Sequence, residues 1–149
     1  MQQFYQNEIL ENIKLSDLIR LKFHHIGLLV DNISEAIHNY SVLFGKENIS
    51  EVFNLHSQKV KECFIKISEN VFLGLVEPIT EDSVVYKLLK KKISYYHIAY
   101  KVPNLIESIK ILENQNYKSL EMFKSEAFDN KYCAFLYTPD GHLFELIEE

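Results

Sequence analysis

The chain has 149 residues, of which 47% are hydrophobic and 25% are charged, and its formal net charge is −5 at pH 7. A chain of this length can bury about two thirds of its unfolded surface, which predicts one compact domain. The acidic balance argues against a nucleic-acid partner, because the one basic cluster, Lys90–Lys92, is typical of a solvated helix end. No apolar run reaches the ~20 residues that cross a bilayer, and no signal peptide is recognisable, so we expect a cytoplasmic protein without a membrane partner.

The N-terminal segment, residues 1–22, is predicted to be a helical extension. Its apolar residues recur at the spacing of an amphipathic helix: Ile9, Leu10, Ile13, Leu15, Leu18 and Ile19. Such a face packs either on the rest of the chain or on a second subunit, and the sequence leaves both arrangements open. A homodimer is therefore one of our expectations.

From residue 23 onward, the chain contains one sequence pattern twice. Residues 23–30 (FHHIGLLV) align with residues 95–102 (YYHIAYKV) at an offset of 72, which superposes His25 on His97. The alignment continues without a gap and superposes Asn32 on Asn104. A unit of about 70 residues that occurs twice indicates two similar modules related by an approximate two-fold axis.

Each module is predicted to contain a strand, a helix and then about three strands. In the first module these are a strand over 25–30, a helix over 32–43 that stops at Gly45, and a hairpin of 62–67 with 71–76. The second module repeats the order with a strand over 96–102, a helix over 104–114, and hairpin strands over 132–137 and 143–147. A helix over 81–92 is predicted to join module 23–80 to module 93–149.

Two histidines and one glutamate are the candidate metal-binding residues. The pseudo-two-fold axis brings His25 and His97 to the cleft between the modules, where a third donor completes a metal site. Glu145 can supply it, because strand alternation places this residue on one face with Leu143 and Ile147. A carboxylate on such an apolar face is costly unless it is paired, protonated or bound to a cation. Each residue alone also suits a structural role, and only their repeat-related positions favour a shared site.

Strand alternation also makes predictions for residues outside the candidate site. It places His24 on the face opposite to His25, in a structural or exposed position. Cys63 and Cys133 occupy corresponding places in the two modules, which is typical of small buried strand residues and not of a disulfide framework.

The three motifs around the candidate residues resemble those of a known superfamily. His25-Ile26-Gly27, His97-Ile98-Ala99 and the closing FELIE over 144–148 are similar to the vicinal oxygen chelate superfamily, which contains glyoxalase I, extradiol dioxygenases and methylmalonyl-CoA epimerase. The resemblance implies one domain over 23–149 and an α+β fold class, in which two βαβββ modules form a curved mixed sheet around a metal-binding cleft. The implied cofactor is a divalent metal ion such as Zn, Co, Ni, Mn or Fe.

The resemblance implies three metal ligands, namely His25, His97 and Glu145. The fourth ligand of the family, a Gln or Glu on the last strand of the first module, aligns with Gly74, which has no donor side chain. The internal repeat also aligns Gly74 with Glu145, so two alignments agree on this departure. Water, substrate, Glu62 or Gln58 can provide the fourth ligand. The alternative is that the metal site is degenerate.

Within the superfamily, the chain is most similar to methylmalonyl-CoA epimerase, in segments 57–60 (SQKV), 76–78 (VEP) and 81–89 (EDSVVYKLL). This implies a metal-dependent isomerase or lyase that enolises a small carbonyl substrate or an acyl thioester such as an acyl-CoA.

The implied bases are Glu62, four residues after Gln58 as in some epimerases, and Glu145. The competing interpretation of Glu62 is a solvated glutamate at a strand end. Two alternatives to the epimerase function stay open: a non-haem iron dioxygenase with a two-His, one-Glu site, and a small-molecule binding or resistance module without catalysis.

Overall fold

The computed structural model describes residues 14–149. Most of the predicted extension over residues 1–22 therefore lies outside the described residues. Its described part contains helix α1 (Leu15–Ile19), which buries Ile19 in an apolar cluster of the second module and leaves Leu15 and Leu18 exposed. This short helix packs against the rest of the chain, which is one of the two arrangements that the sequence left open.

Two similar modules make up the rest of the described chain, and the second has one more short strand after its helix than the first. The first contains β1 (Lys22–Leu29), α2 (Ile33–Phe44), β2 (Phe53–Leu55), β3 (Val60–Ser68) and β4 (Val71–Pro78). Helix α3 (Val84–Lys90) links it to the second, which contains β5 (Tyr95–Val102), α4 (Leu105–Glu113), β6 (Lys118–Ser119), β7 (Phe123–Ser125), β8 (Lys131–Tyr137) and β9 (Leu143–Glu148). Short 3-10 helices occupy Lys46–Asn48 and Glu126–Phe128. None of the helices in residues 14–149 is both long enough and apolar enough to cross a membrane.

One mixed sheet carries both modules, in the strand order β2-β3-β4-β1-β5-β9-β8-β6, and β7 also pairs with β8. β1 runs parallel to β4, and β5 runs parallel to β9, whereas β1 and β5 meet antiparallel at the centre. The inner strand pairs of the two modules are thus related by the approximate two-fold axis. The α+β fold class, with paired strand-helix-strand modules in a curved mixed sheet, is confirmed.

The first helix of each module begins in the same way. The side chain of Asn32 accepts a hydrogen bond from the amide of Glu35, and the side chain of Asn104 accepts one from the amide of Glu107, both at 3.0 Å. Such N-caps satisfy an amide that has no partner within the helix. Helix α2 then ends at Gly45, whose φ of 86° suits a residue without a Cβ.

The linking helix is shorter than the predicted 81–92. Asp82 bonds to the Lys59 ammonium and to the Thr80 hydroxyl, which holds residues 81–83 in a turn. Ser83, at the N-cap position, donates to the carbonyl of Gln58 at 3.3 Å and does not cap the helix with its side chain. The helix ends before Lys92, whose φ of 60° is left-handed.

Helices α2 and α4 cover one face of the sheet, and the other face lines the cleft, which the linking helix α3 borders through Val85. Helix α2 packs on a buried cluster that includes Cys63, Ile65 and Leu75. Because successive strand residues point to opposite faces, Glu62, Phe64 and Gly74 project from the same strands toward the cleft. Cys63 and Cys133 are both fully buried, as predicted, but the prediction that they occupy corresponding places is wrong: Cys63 pairs with Leu75 whereas Cys133 pairs with Ile147, so that Cys133 corresponds to Glu62.

Candidate metal centre

The centre of the cleft is formed where β1 crosses the two-fold axis to meet β5. In this antiparallel pair, His25 lies opposite Ala99 and His97 lies opposite Gly27. A Cβ atom on Gly27 would lie 2.7 Å from Cε1 of His97, which is too close for any side chain. The small residue of each module therefore provides the space that the imidazole of the other module occupies.

The three candidate ligands converge on one point in this cleft. The Nε2 atoms of His25 and His97 are 3.1 Å apart, and Nε2 of His97 is 3.6 Å from Oε2 of Glu145. One donor atom from each of the three side chains lies within 4.8 Å of the others, and all three side chains are buried. This arrangement can hold a metal ion, since two imidazoles and a carboxylate are common ligands of divalent transition metals.

Glu62 brings a second carboxylate to the cluster from the opposite end. Its Oε1 lies 4.0 Å from Nε2 of His25, and the residue is only 6% exposed, so the interpretation of Glu62 as a solvated residue is wrong. Glu62, His25, His97 and Glu145 thus form a row in which each histidine lies beside one carboxylate.

The position vacated at Gly74 lies next to Glu62. Gly74 pairs with Gly27 across β4 and β1, and Glu145 pairs with Ala99 across β9 and β5, so the register supports the equivalence of Gly74 and Glu145. A Cβ atom on Gly74 would lie 3.5 Å from Oε1 of Glu62 and 3.0 Å from Cδ2 of His25. Of the two side chains considered for the gap, the Glu62 carboxylate is therefore in contact with it.

Burial keeps the cluster in its uncharged forms when no cation is present. Burial raises the pKa of Glu62 to about 8, and burial followed by repulsion from Glu62 raises the pKa of Glu145 well above its usual value. Burial lowers the pKa of His97 to about 3, and burial together with the neighbouring His97 and His24 lowers the pKa of His25. Neutral imidazole is the form that binds metals, and a divalent cation would compensate two buried carboxylates.

The prediction that His24 faces away from His25 is wrong, because β1 contains a β-bulge. Phe23 pairs with Tyr100 and His25 pairs with Ala99, so His24 is an extra residue on its strand. A bulge interrupts the alternation of side chains and re-aims the inserted residue. As a result, Nδ1 of His24 lies 2.8 Å from Nδ1 of His25.

A matching bulge occurs on β5, at the residue that the repeat aligns with His24. Gly27 pairs with His97 and Leu28 pairs with Tyr95, which leaves Tyr96 as the extra residue. The Tyr96 ring lies beside the His97 ring, with centroids 4.5 Å apart. However, the buried Nδ1 of His97 has no hydrogen-bond partner within residues 14–149. Sequence analysis missed this pair of bulges; the one available signal was the polar residue before each histidine.

A cavity of about 310 Å³ lies beside the bulge of β1. Its walls are largely aromatic, and two lysines lie at its edge: the lining includes His24, Phe53, Phe64, Phe72, Phe128, Lys101 and Lys131. The Phe128 ring is nearly parallel to the His25 ring at 6.3 Å, and the ammonium of Lys101 lies 5.9 Å from the Phe128 ring centroid. His24 and Phe128, which line this cavity, also lie beside the ring of the candidate ligand His25.

Comparisons with known proteins agree with this architecture. The model of the Glyoxalase/Bleomycin resistance protein/Dioxygenase superfamily matches residues 24–135. The chain is 31% identical over 134 residues to the uncharacterized protein YqjC of Bacillus subtilis (strain 168), covering 85% of this chain and 91% of that protein.

Solved structures of methylmalonyl-CoA epimerases share the fold. The Mycobacterium tuberculosis enzyme superposes with a TM-score of 0.77 at 22% identity, covering 93% of this chain and 94% of that chain. A single-substitution variant of the Streptomyces coelicolor enzyme, in complex with 2-nitronate-propionyl-CoA, superposes with a TM-score of 0.75 at 25% identity, covering 86% of this chain and 96% of that chain. The chain described here belongs to the Glyoxalase/Bleomycin resistance protein/Dioxygenase superfamily.

Proposed function

We propose that this protein is a metal-dependent isomerase or lyase, similar to methylmalonyl-CoA epimerase, which removes a proton next to the carbonyl of a small substrate. The observation that carries the proposal is the row of four buried side chains, with a carboxylate at each end and two imidazoles between them. Proton transfer at a carbon next to a carbonyl needs a base beside the carbon and a cation beside the oxygen.

The residues that would hold the cation are His25, His97 and Glu145. Their donor atoms already converge, and the low pKa values of both imidazoles keep them in the form that binds a metal ion. When bound, a divalent ion such as Zn, Co, Ni, Mn or Fe polarises the substrate carbonyl and stabilises the negative charge that develops on its oxygen.

Glu62 and Glu145 are the proposed proton carriers. An epimerisation removes the α-proton on one face and returns a proton on the other, so it needs one carboxylate and one carboxylic acid at the same time. In the metal-free protein burial raises the pKa of both residues, and a bound cation would lower both values again, so that the carboxyl groups can ionise near neutral pH. A carboxylate has two oxygens, so Glu145 can offer one to a cation and the other to the substrate.

The proposed substrate class is an acyl-CoA. The similar Streptomyces coelicolor epimerase has been solved with 2-nitronate-propionyl-CoA, which supports an acyl thioester in this cleft. The cavity of about 310 Å³ beside the cluster is in the range of small-ligand sites, and it has Lys101 and Lys131 at its edge. The lining also includes Asp129 and Glu148, so the ammonium groups of Lys101 and Lys131 can pair with a substrate carboxylate or phosphate only on their own side of the cavity.

Deuterium exchange tests the proposal directly. Metal-loaded protein incubated with methylmalonyl-CoA in deuterated water should incorporate deuterium at the α-carbon. The variant Glu62→Gln should slow the interconversion of the two epimers about 100-fold or more, because the amide can neither accept nor return the proton on its face. Glu69→Gln, an exposed glutamate on the β3–β4 turn, is the matched control and should exchange as the wild type does. Absence of exchange at high concentrations of metal-loaded protein would reject this substrate.

A second function, that of a non-haem iron dioxygenase, is favoured by the donor set itself. Two imidazoles and one carboxylate with open positions suit iron(II) and oxygen chemistry. Oxygen uptake with catechols, measured after anaerobic loading with iron(II), tests this alternative. Saturable binding of a small molecule without turnover in either assay would favour the third possibility, a binding or resistance module.

A further inference from the structure

We propose that His24 is a positioning residue, which holds the imidazole of His25 in the orientation and tautomer that a metal ligand requires. The inference rests on the proposed metal binding by His25 and concerns the hydrogen bond between the two rings. Ligating histidines are commonly oriented by a partner of their second ring nitrogen, which fixes the tautomer.

The geometry assigns a distinct role to each nitrogen of His25. Its Nε2 points into the cluster, 3.1 Å from Nε2 of His97, and its Nδ1 points away, 2.8 Å from Nδ1 of His24. A lone pair on Nε2 is free for a cation only if the proton of His25 is on Nδ1. That N–H then donates to Nδ1 of His24, and His24 carries its own proton on Nε2.

The surroundings of His24 hold its ring in place for this bond. The ring stacks on Phe72, with centroids 4.9 Å apart and planes 23° apart. Its edges also contact Phe64 and Phe128, at centroid distances of 5.5 Å and 5.2 Å. The bulge aims His24 at His25, and three phenylalanine rings then limit its rotation, so the acceptor is preorganised.

The second module provides an internal comparison for this role. Tyr96 occupies the equivalent bulge and contacts the His97 ring, yet the Nδ1 of His97 has no hydrogen-bond partner among residues 14–149. The same backbone device therefore orients one ligand by a hydrogen bond and the other by packing alone. Substitutions at the two bulges separate a bonding effect from a packing effect.

The experiment measures the affinity for Zn²⁺ by competition with a chromophoric chelator. His24→Phe keeps a ring for stacking on Phe72 but removes the acceptor, and it should weaken Zn²⁺ binding about 10- to 100-fold. His24→Asn should restore most of the affinity, because its amide oxygen can lie near the place of the imidazole Nδ1. His142→Phe, at an exposed histidine outside the cluster, is the control and should bind Zn²⁺ as the wild type does.

Two further measurements keep the test independent of folding defects. Nitrogen-15 NMR of the metal-free wild type should show His25 protonated on Nδ1, a readout that needs no variant. Tyr96→His introduces an acceptor beside His97 and should tighten Zn²⁺ binding several-fold.

The inference is overturned by wild-type Zn²⁺ affinity in a folded His24→Phe variant, or by a proton on Nε2 of His25 in the metal-free protein. Failure to bind Zn²⁺ at all would overturn it together with the proposed metal site. Loss of the proposed function alone looks different: no deuterium enters methylmalonyl-CoA, while Zn²⁺ still binds and His24→Phe still weakens it.

Discussion

The two modules differ far more in their side chains than in their backbone. Both have a bulge before the ligand histidine, a small residue opposite it, and an asparagine cap on the following helix. However, His24 bonds to Nδ1 of His25, whereas Nδ1 of His97 beside Tyr96 has no hydrogen-bond partner among the described residues, and Gly74 stands where the second module has Glu145. The two modules therefore share the backbone geometry of the site, whereas their donor side chains differ.

The carboxylates compensate for part of this asymmetry. Glu62 projects from β3 into the gap beside Gly74, so each ligand histidine still has one carboxylate within 4.0 Å. The first module supplies its carboxylate from a different strand from the one used by the second module. Each histidine therefore has a carboxylate beside it, although the two carboxylates come from strands that are not equivalent.

The largest effect should come from removing one of the two equivalent histidines. His97→Ala should abolish stoichiometric binding of a divalent metal, because two of the three converging donors cannot replace the third. Metal content of the purified and zinc-loaded protein, measured by mass spectrometry, checks this. His142→Ala alters an exposed histidine and should leave the metal content unchanged. Stoichiometric metal in His97→Ala would rule out the proposed ligand set.

The small residues opposite the histidines should differ in their tolerance. Gly27→Ala places a Cβ atom at 2.7 Å from the His97 ring and must displace it, so Zn²⁺ affinity should fall about 10- to 100-fold. Ala99→Gly, at the equivalent position of the second module, leaves His25 in place and should change the affinity by less than about threefold. Competition titrations of both variants make the comparison, and equal affinities would show that His97 has more freedom than the register implies.

The metal-free protein should lose stability as the pH rises from about 6.5 to 8. Glu62 has a folded-state pKa of about 8, above its value of 4.5 in the unfolded chain, so the folded state binds more protons than the unfolded state in this range. The unfolding free energy should fall by about 1–2 kcal/mol. Urea unfolding at several pH values measures it.

Two variants and one ligand test the origin of this pH dependence. Glu62→Gln should make the slope shallower and leave the part due to Glu145, whose pKa burial also raises, whereas Glu69→Gln should not change it, because Glu69 is exposed. Saturating Zn²⁺ should remove the decline, since a cation favours the ionised carboxylates. Below pH 6.5 His97 has the opposite effect on the unfolding free energy, because its pKa in the folded state is about 3. The unfolded state takes up a proton there that the folded state does not, so stability falls as the pH falls. An unchanged slope in Glu62→Gln would assign the decline to other groups.

The smallest changes should come from removing the helix caps, which the two modules have in common. Asn32→Ala and Asn104→Ala each remove a cap with the same 3.0 Å bond, and each should lower the unfolding free energy by about 1 kcal/mol. Denaturant titration of both variants measures the two values. A difference of more than about 1 kcal/mol would show that the first turns of α2 and α4 are not energetically equivalent.

Patterns that span a few residues were predictable from the sequence. The offset between His25 and His97 predicted the duplicated module, and the helices and hairpins followed from local periodicity and turn residues. The convergence of His25, His97 and Glu145 was also predictable, because an approximate two-fold axis brings equivalent strands together. The absence of a fourth donor side chain at Gly74 was also predictable, because the family's fourth ligand and the internal repeat both align with this residue.

Features that depend on strand pairing were not predictable in this way. Simple alternation placed His24 on the wrong face, because a bulge arises from a mismatch between two strands that are distant in sequence. From its own strand alone, Glu62 can be interpreted as a solvated residue. In the structure it is buried, because the neighbouring strands β4 and β1 enclose it.

The sequence by itself determined the repeat, the order of elements and the three converging donors, since these depend on periodicity and symmetry. Only the tertiary structure decided that His24 bonds to His25, that His97 lacks such a partner within residues 14–149 and that Glu62 borders the gap at Gly74. Each of these depends on the register and packing of strands far apart in the chain, which no local pattern encodes.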